Sequence, residues 1–201
     1  MRVIKKAEVR DLVSRVYSNS CLHGFHDDKL SVEHCLMLVL SEVGEAIEAD
    51  RKSRRADMEG YRASFGLSDA EMFEKFIKGS VEEELADVVI RLFDLCGMVG
   101  MEPTLVYTKK DFGEFMDVFD ENYKSLSFCE RCFILSCIIC RGEEQRPFVN
   151  GVINEDLSDV IGASLLFVMA MSRDMGIDIW SFVELKMRYN ESRPKKHGKG
   201  Y

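Results

Sequence analysis

Proline is scarce in this chain, with three residues among 201, and no long uninterrupted hydrophobic run is present. Because proline disrupts the interior of helices, its scarcity beside abundant Leu, Met, Glu and Lys favours helices over sheets. The longest apolar stretches, such as residues 163–171, are too short to cross a bilayer, and the N-terminus lacks the apolar core of a secretory signal. We therefore expect a helical cytoplasmic protein that does not enter a membrane.

An excess of positive charge is also absent, since the formal net charge is -8. An acidic protein repels the backbone of nucleic acids, and no basic stripe offsets that repulsion, so we expect no nucleic-acid partner. The one basic cluster is the tail Arg193-Pro194-Lys195-Lys196-His197. A small anionic substrate would need that cluster or a bound cation.

The number of cysteines is odd: seven occur, mostly within apolar helical segments. We therefore expect no disulfide scaffold, and we expect the protein to reside in a reducing compartment. The pairs Cys129–Cys132 and Cys137–Cys140 have the spacing of metal ligands, but only four residues separate them. Since a zinc ribbon needs a longer loop there, we predict that these thiols line the hydrophobic core.

Apolar residues recur every three or four positions along most of the chain, which predicts amphipathic helices joined by loops. Ser31 and Ser80 are predicted N-caps of the two strongest helices. The pattern weakens between residues 53 and 78, where we predict a lid or an insertion carrying a short helix. The predicted helices span residues 7–19, 32–52, 81–99, 127–141, 152–174 and 178–189, followed by an extended tail.

The two halves of the chain resemble each other. Residues 33–36 are similar to residues 130–133, and residues 84–89 are similar to residues 156–161. Such similarity within a chain indicates a repeat, although short helical matches also arise by chance. If the repeat is a duplication, two units of two helices share one four-helix-bundle-like, all-α core.

Two pairs of acidic residues occupy the two strongest helices. Glu42 and Glu45 lie at positions i and i+3 among apolar neighbours, and so do Glu84 and Asp87. Each pair therefore projects from one helix face. A single such pair more often lies on a solvated helix surface. Two pairs that face each other inside a bundle, however, would bring four negative charges close enough to repel strongly. A divalent cation offsets the cost of burying them, and ligation by oxygen alone indicates Mg2+ or Mn2+.

Gly44 lies between the two acids of the first pair. A glycine in the middle of a helix costs about 1 kcal/mol relative to alanine. We therefore predict that a ligand or a second helix approaches the backbone closely at this position.

The segments around the four acids resemble a known family. Residues 38–49 and 83–91 are similar to the MazG and all-α nucleotide pyrophosphatase superfamily, which carries an ExxE and then an ExxD signature on neighbouring helices. The tail at 186–199 resembles a C-terminal segment of MazG-like proteins. The resemblance implies a Mg2+-dependent hydrolase that cleaves a (d)NTP into (d)NMP and pyrophosphate. MazG-like proteins commonly form dimers or tetramers, so a homodimer or higher oligomer stays open beside a pseudo-dimeric monomer.

The resemblance also implies roles for single residues. The metal ligands carried over are Glu42, Glu45, Glu84 and Asp87. Glu45 is in addition our candidate for the carboxylate that orients or deprotonates the attacking water. Further candidate substrate contacts are Phe25 and His26 for the base, and Lys52, Arg91, Arg193, Lys196 and His197 for the phosphates.

The sequence departs from the family pattern in two ways. The gap between the acid pairs is longer than usual, which leaves the role of residues 53–78 open. The second half has Ile139 and Gly142 where a first acid pair would stand, so we predict that it lost its site and serves as a scaffold. The predicted organisation is one all-α domain over 1–201, with a catalytic repeat at 1–110 and a degenerate repeat plus basic tail at 120–201.

Two other functions stay open. A di-iron or di-manganese carboxylate bundle normally supplies Glu-x-x-His pairs, which neither acidic helix has. The other is a non-catalytic or degenerate nucleotide-binding protein of the same fold. The altered second half favours this alternative, whereas the intact acids of the first half speak against it.

Overall fold

In the computed structural model, which describes residues 4–105, 121–144 and 155–195, helices are the only regular secondary structure. The described part of the chain forms nine helices, which confirms the predicted all-α fold class. In chain order they are α1 (Lys6–Leu22), α2 (Val32–Arg51), α3 (Met58–Ala63), α4 (Asp69–Phe76), α5 (Val81–Val99), α6 (Glu121–Ser125), α7 (Phe128–Glu144), α8 (Glu155–Asp174) and α9 (Ile179–Glu191).

The two acidic helices begin where the sequence predicts. The Ser31 hydroxyl accepts the His34 backbone N–H at 3.2 Å, and the Ser80 hydroxyl accepts the Glu83 backbone N–H at 3.2 Å. Each bond satisfies a donor that has no partner within its own helix. The predicted N-caps of α2 and α5 are therefore confirmed.

Helix α5 is the centre of the packing. It contacts α1, α2, α8 and α9, and α7 packs in turn on α2 and α8. Four helices (α2, α5, α7 and α8) therefore contact one another in a ring, as in the bundle that the sequence predicts. The duplication itself stays a prediction. The apolar side chains that α5 buries include Leu85, Val88, Val89, Leu92 and Phe93.

The segment between α2 and α5 carries two short helices, α3 and α4, and is attached at both ends. The backbone N–H of Val81 donates to the Arg54 carbonyl at 3.2 Å, and the N–H of Asp57 donates to the Phe76 carbonyl at 2.8 Å. On the other side, the ring of Phe73 in α4 stacks on Tyr189 in α9, with centroids 4.4 Å apart. The segment is therefore closed on itself, hydrogen-bonded to the start of α5 and packed against α9 through α4.

The structure contradicts the prediction for the cysteines and one of the two explanations predicted for Gly44. Of the four thiols predicted to line the core, only Cys132 is buried, and Cys129, Cys137 and Cys140 are exposed. The buried face of α7 runs through Cys132, Leu135 and Ile139, and the other three thiols point away from it. At Gly44, a Cβ would meet nothing within 4 Å, so no second helix approaches closely there.

Three helices extend beyond their predicted ends, α9 by two residues to Glu191 and two others by three residues each. Helix α1 runs on to Leu22 and α7 to Glu144, both within segments that the sequence assigns to loops. In the described residues, no single helix is long and apolar enough to cross a membrane; α8 and α9 meet that test only as a pair bent by 110°.

Candidate metal-binding site and adjoining cavity

Three of the four predicted metal ligands converge between α2 and α5. One carboxylate oxygen from each of Glu42, Glu84 and Asp87 lies within 4.8 Å of the other two. Glu42 and Glu84 are buried, and Asp87 is half-buried. The i, i+3 spacing on α5 and the close packing of α2 on α5 produce this arrangement. Three carboxylates form a donor set that could hold a metal ion, and oxygen ligation suits a hard divalent cation.

The fourth predicted ligand, Glu45, is outside this group. Its side chain is exposed, although it lines the same cavity as the other three acids. It is still close to the buried acids, because its charge contributes to the raised pKa values of Glu42 and Glu84. Glu45 can therefore contact a molecule in the cavity without belonging to the buried group.

Without a cation, burial of Glu42 and Glu84 disfavours the charged forms of both carboxyl groups. Burial, together with the charges of Glu83 and Asp87, raises the pKa of Glu84 to about 8. Burial and the charge of Asp87 also raise the pKa of Glu42, even though Arg91 opposes the shift. A bound cation would reverse both effects, since it favours the deprotonated carboxylates.

A lysine from α9 reaches into the acidic region. The buried Lys186 ammonium donates to Glu83 and lies 2.6 Å from Oδ2 of Asp87. Burial by itself would lower the pKa of Lys186, but the charges of Asp87 and Glu83 outweigh it and raise the pKa. Lys186 therefore supplies a permanent positive charge beside the three carboxylates. No sequence pattern points to a role for Lys186, although it is the first residue of the tail segment that resembles MazG-like proteins.

Arg91 is bound to one of the predicted ligands. Its Nε donates to Oε1 of Glu42 at 3.0 Å, and the guanidinium carbon lies 5.9 Å from the centre of the Phe25 ring. Burial disfavours the charged guanidinium, but Glu42 and the other nearby acids keep the pKa of Arg91 raised. Arg91 lines the cavity, and its direct contact orients Glu42.

The two residues predicted to contact a base have different surroundings. Phe25 lines the cavity beside the apolar side chains of Val16 and Ile90. His26 does not line it; its Nε2 lies 2.9 Å from Oδ1 of Asp94, with the imidazole 9% exposed. Phe25 therefore contributes an aromatic ring to the cavity lining, whereas His26 holds Asp94 in place.

The acids lie in the wall of a cavity of about 640 Å3 enclosed by α1, α2, α5, α9 and the segment before α5. Small-molecule sites usually have volumes of about 300–1,000 Å3. Both Lys52 and Arg193, predicted phosphate contacts, line it, as do Arg54 and Lys78, which are not among the predicted contacts. The remaining predicted contacts, Lys196 and His197, lie outside the described residues.

These cationic side chains share the cavity with the carboxylates, so the cavity carries both signs of charge. Such a lining suits a ligand that brings a divalent cation and anionic groups together. In comparisons with known proteins, no family model, no curated protein and no solved structure matches this chain.

Proposed function

We propose that the protein is a Mg2+-dependent nucleoside triphosphate pyrophosphohydrolase of MazG-like type, which converts a (d)NTP to (d)NMP and pyrophosphate. One observation carries the proposal: the carboxylates of Glu42, Glu84 and Asp87 converge in the wall of a cavity that also presents lysine and arginine side chains. The resemblance of residues 38–49 and 83–91 to the MazG-like superfamily supports the substrate class.

The donor set fits Mg2+, and Mn2+ as a substitute. Glu42, Glu84 and Asp87 would hold the ion through oxygen ligands, and hard cations of this size prefer oxygen. The close approach of the three carboxylate oxygens supports this assignment, because a cation offsets the repulsion among them. When bound, Mg2+ supplies charge stabilisation to the phosphates and to the leaving pyrophosphate.

Other residues of the chain have separate roles in this proposal. Glu45 faces the cavity from an exposed position and orients or deprotonates the attacking water. Arg91 holds Glu42 through its 3.0 Å hydrogen bond. The half-buried ring of Phe25 offers a surface on which a nucleobase stacks.

One observation favours an alternative, a non-catalytic nucleotide-binding protein of the same fold. Lys186 already pairs with Asp87 and with the neighbouring Glu83, so one of the three converging acids has a positive partner without a metal ion. In such a protein a nucleotide would bind in the cavity without being cleaved.

Pyrophosphate release distinguishes the two functions. The purified protein is incubated with each common (d)NTP and Mg2+, and pyrophosphate and nucleoside monophosphate are quantified. We expect stoichiometric release of both, strongly reduced in Asp87→Asn and Glu45→Gln. The exposed Glu59 lies on α3 and does not line the cavity, so Glu59→Gln is the matched control and should keep full activity. Nucleotide binding without release from any (d)NTP would support the alternative and overturn the hydrolase.

A further inference from the structure

Two basic residues of the segment that separates the acid pairs face the cavity. Arg54 lies near the start of this segment, residues 53–79, and Lys78 lies near its end. Both line the cavity that contains the three converging carboxylates. The chain as a whole is acidic, so its general charge would repel an anionic ligand. The presence of Arg54 and Lys78 at the cavity therefore calls for a local explanation.

The position of Arg54 is set by the backbone on both sides. Its N–H donates to the Ala49 carbonyl at 2.9 Å, and its carbonyl accepts the Val81 N–H at 3.2 Å. The guanidinium packs over Gly79, where a Cβ would lie 2.9 Å from Nη1. Gly79 has a φ of 72°, which favours glycine, and the absence of a side chain leaves room for the guanidinium.

Arg54 differs from the neighbouring arginines in its pairing. Arg51 lies 3.0 Å from Glu48, and Arg55 lies 2.9 Å from Asp50. Arg54 forms no ion pair with any other described residue, and its exposed side chain lines the cavity. The exposed guanidinium therefore presents N–H donors to a ligand in the cavity.

Lys78 is held at the contact between α4 and α9. Its ammonium lies 2.7 Å from both oxygens of Glu74 and 3.3 Å from the Tyr189 hydroxyl. The Tyr189 hydroxyl donates in turn to Glu74. This network positions the ammonium at the cavity and ties residues 53–79 to α9.

We propose that Arg54 and Lys78 bind the terminal phosphates of a nucleoside triphosphate, which leave as pyrophosphate. The proposal rests on the proposed function for the identity of the ligand. A triphosphate carries more negative charge than one Mg2+ neutralises, and the acids in the same wall repel the remainder. Arg54 offers a planar pair of donors suited to phosphate oxygens, and Lys78 adds a point charge. Residues 53–79, which lengthen the gap between the acid pairs, are on this view a phosphate-binding element.

Direct binding measurements test this assignment independently of catalysis. Binding of inorganic triphosphate with Mg2+ to the full chain is measured by calorimetry for the wild type, Arg54→Ala and Arg55→Ala. We expect Arg54→Ala to weaken binding about tenfold or more, as for loss of hydrogen bonds to a charged group. The adjacent Arg55 is exposed and does not line the cavity, so Arg55→Ala should change binding by about twofold at most.

Two further measurements separate phosphate binding from a structural role. Binding of the nucleoside monophosphate should be equal in the wild type and Arg54→Ala, because this ligand lacks the terminal phosphates. Arg54→Lys retains the charge but not the planar fork, so it should bind triphosphate with intermediate affinity. Lys78→Met should also weaken triphosphate binding, whereas Lys75→Met, on α4 and outside the cavity lining, should not.

The outcomes distinguish this inference from the proposed function. Cleavage of nucleoside triphosphates together with unchanged triphosphate binding in Arg54→Ala and Lys78→Met would overturn the phosphate-binding role and leave the hydrolase intact. Binding of triphosphate that depends on Arg54, without pyrophosphate release from any nucleotide, would support the phosphate site and overturn the hydrolase. Equal losses of monophosphate and triphosphate binding in Arg54→Ala would show a structural role and overturn the inference.

Discussion

The ammonium of Lys186, on α9, lies 2.6 Å from Oδ2 of Asp87, on α5. Asp87 is also one of the three converging carboxylates. Its side chain therefore belongs to the candidate metal site and also contacts the buried lysine. This pair joins the C-terminal helix to the central helix at the wall of the cavity. The charge balance of the site therefore depends on residues separated by about a hundred positions in the chain.

Replacement of Lys186 by methionine should destabilise the metal-free protein. Glu83 and Asp87 would then lie in the acidic region without a positive partner, and removing one member of a buried pair typically costs about 3–5 kcal/mol. The free energy of unfolding is measured in denaturant, and Mg2+ should restore part of the loss because it supplies positive charge to Asp87. Lys195→Met is the control: its pair with Asp27 is exposed to solvent, so the change should be much smaller than that of Lys186→Met. Equal stability of Lys186→Met and the wild type would contradict this account.

The stability of the metal-free protein should increase as the pH falls toward mild acidity. The pKa of Glu84 is about 8 in the folded protein, against an ordinary value of 4.5. Between these values the folded state binds more protons than the unfolded state, so the free energy of unfolding rises as pH decreases. For this group the gain is complete below about pH 4.5 and is lost as pH rises through about 8.

Denaturant unfolding at a series of pH values measures this dependence. Glu84→Gln removes the titrating carboxyl and should flatten the profile in part, because the pKa of Glu42 is raised as well. Glu59→Gln should reproduce the wild-type profile. A wild-type profile that is already flat between about pH 6 and 8 would rule out the raised pKa as a determinant of stability.

Replacement of Arg91 by lysine should weaken Mg2+ binding. The Arg91 Nε bonds Glu42 directly, and loss of a residue that orients a ligand typically reduces metal affinity about 10- to 100-fold. Titration of the protein with Mg2+ or Mn2+ measures the affinity. Arg131 lies 3.1 Å from Asp174 on the α7–α8 side of the molecule, so Arg131→Lys tests the same substitution away from the site. Unchanged metal affinity in Arg91→Lys would exclude the orienting role.

The cysteines should divide into two classes in the native protein. Cys21, Cys129, Cys137 and Cys140 are exposed and should react quickly with a thiol reagent near neutral pH. The remaining thiols are buried, and burial raises the pKa of Cys35 to about 11 and those of Cys96 and Cys132 to about 12. These three should react only after unfolding, because the thiolate is the reactive form. Mass spectrometry before and after denaturation counts the modified thiols, and rapid native labelling of Cys132 would contradict the packing of α7.

Much of the local structure could be predicted from the sequence. Helix positions follow from apolar periodicity, and Ser31 and Ser80 mark the starts of α2 and α5 because a hydroxyl there satisfies backbone donors of the first turn. The shared face of Glu84 and Asp87 is also local, since i, i+3 spacing alone places both on one side of a helix. The sequence therefore indicated an acidic cluster between these helices.

Contacts between residues far apart in the chain could not be predicted from local sequence patterns. Cys129, Cys137 and Cys140 share a helix with Cys132, but only the packing of α7 on α2 and α8 determines which face is buried. The periodicity of a sequence gives the angle between two residues on a helix and leaves open the rotation of that helix against its neighbours.

The candidate site also has features that follow from the sequence and features that depend on the packing of the helices. The sequence by itself determined an all-helical chain with two acid pairs on separate helices. Only the tertiary structure decided that Glu42, Glu84 and Asp87 converge, that Glu45 turns toward the cavity, and that Lys186 and Arg54 join them. The physical reason is that charge interactions act over a few ångströms in space, and the packing of α2, α5 and α9 brings distant parts of the chain within that range.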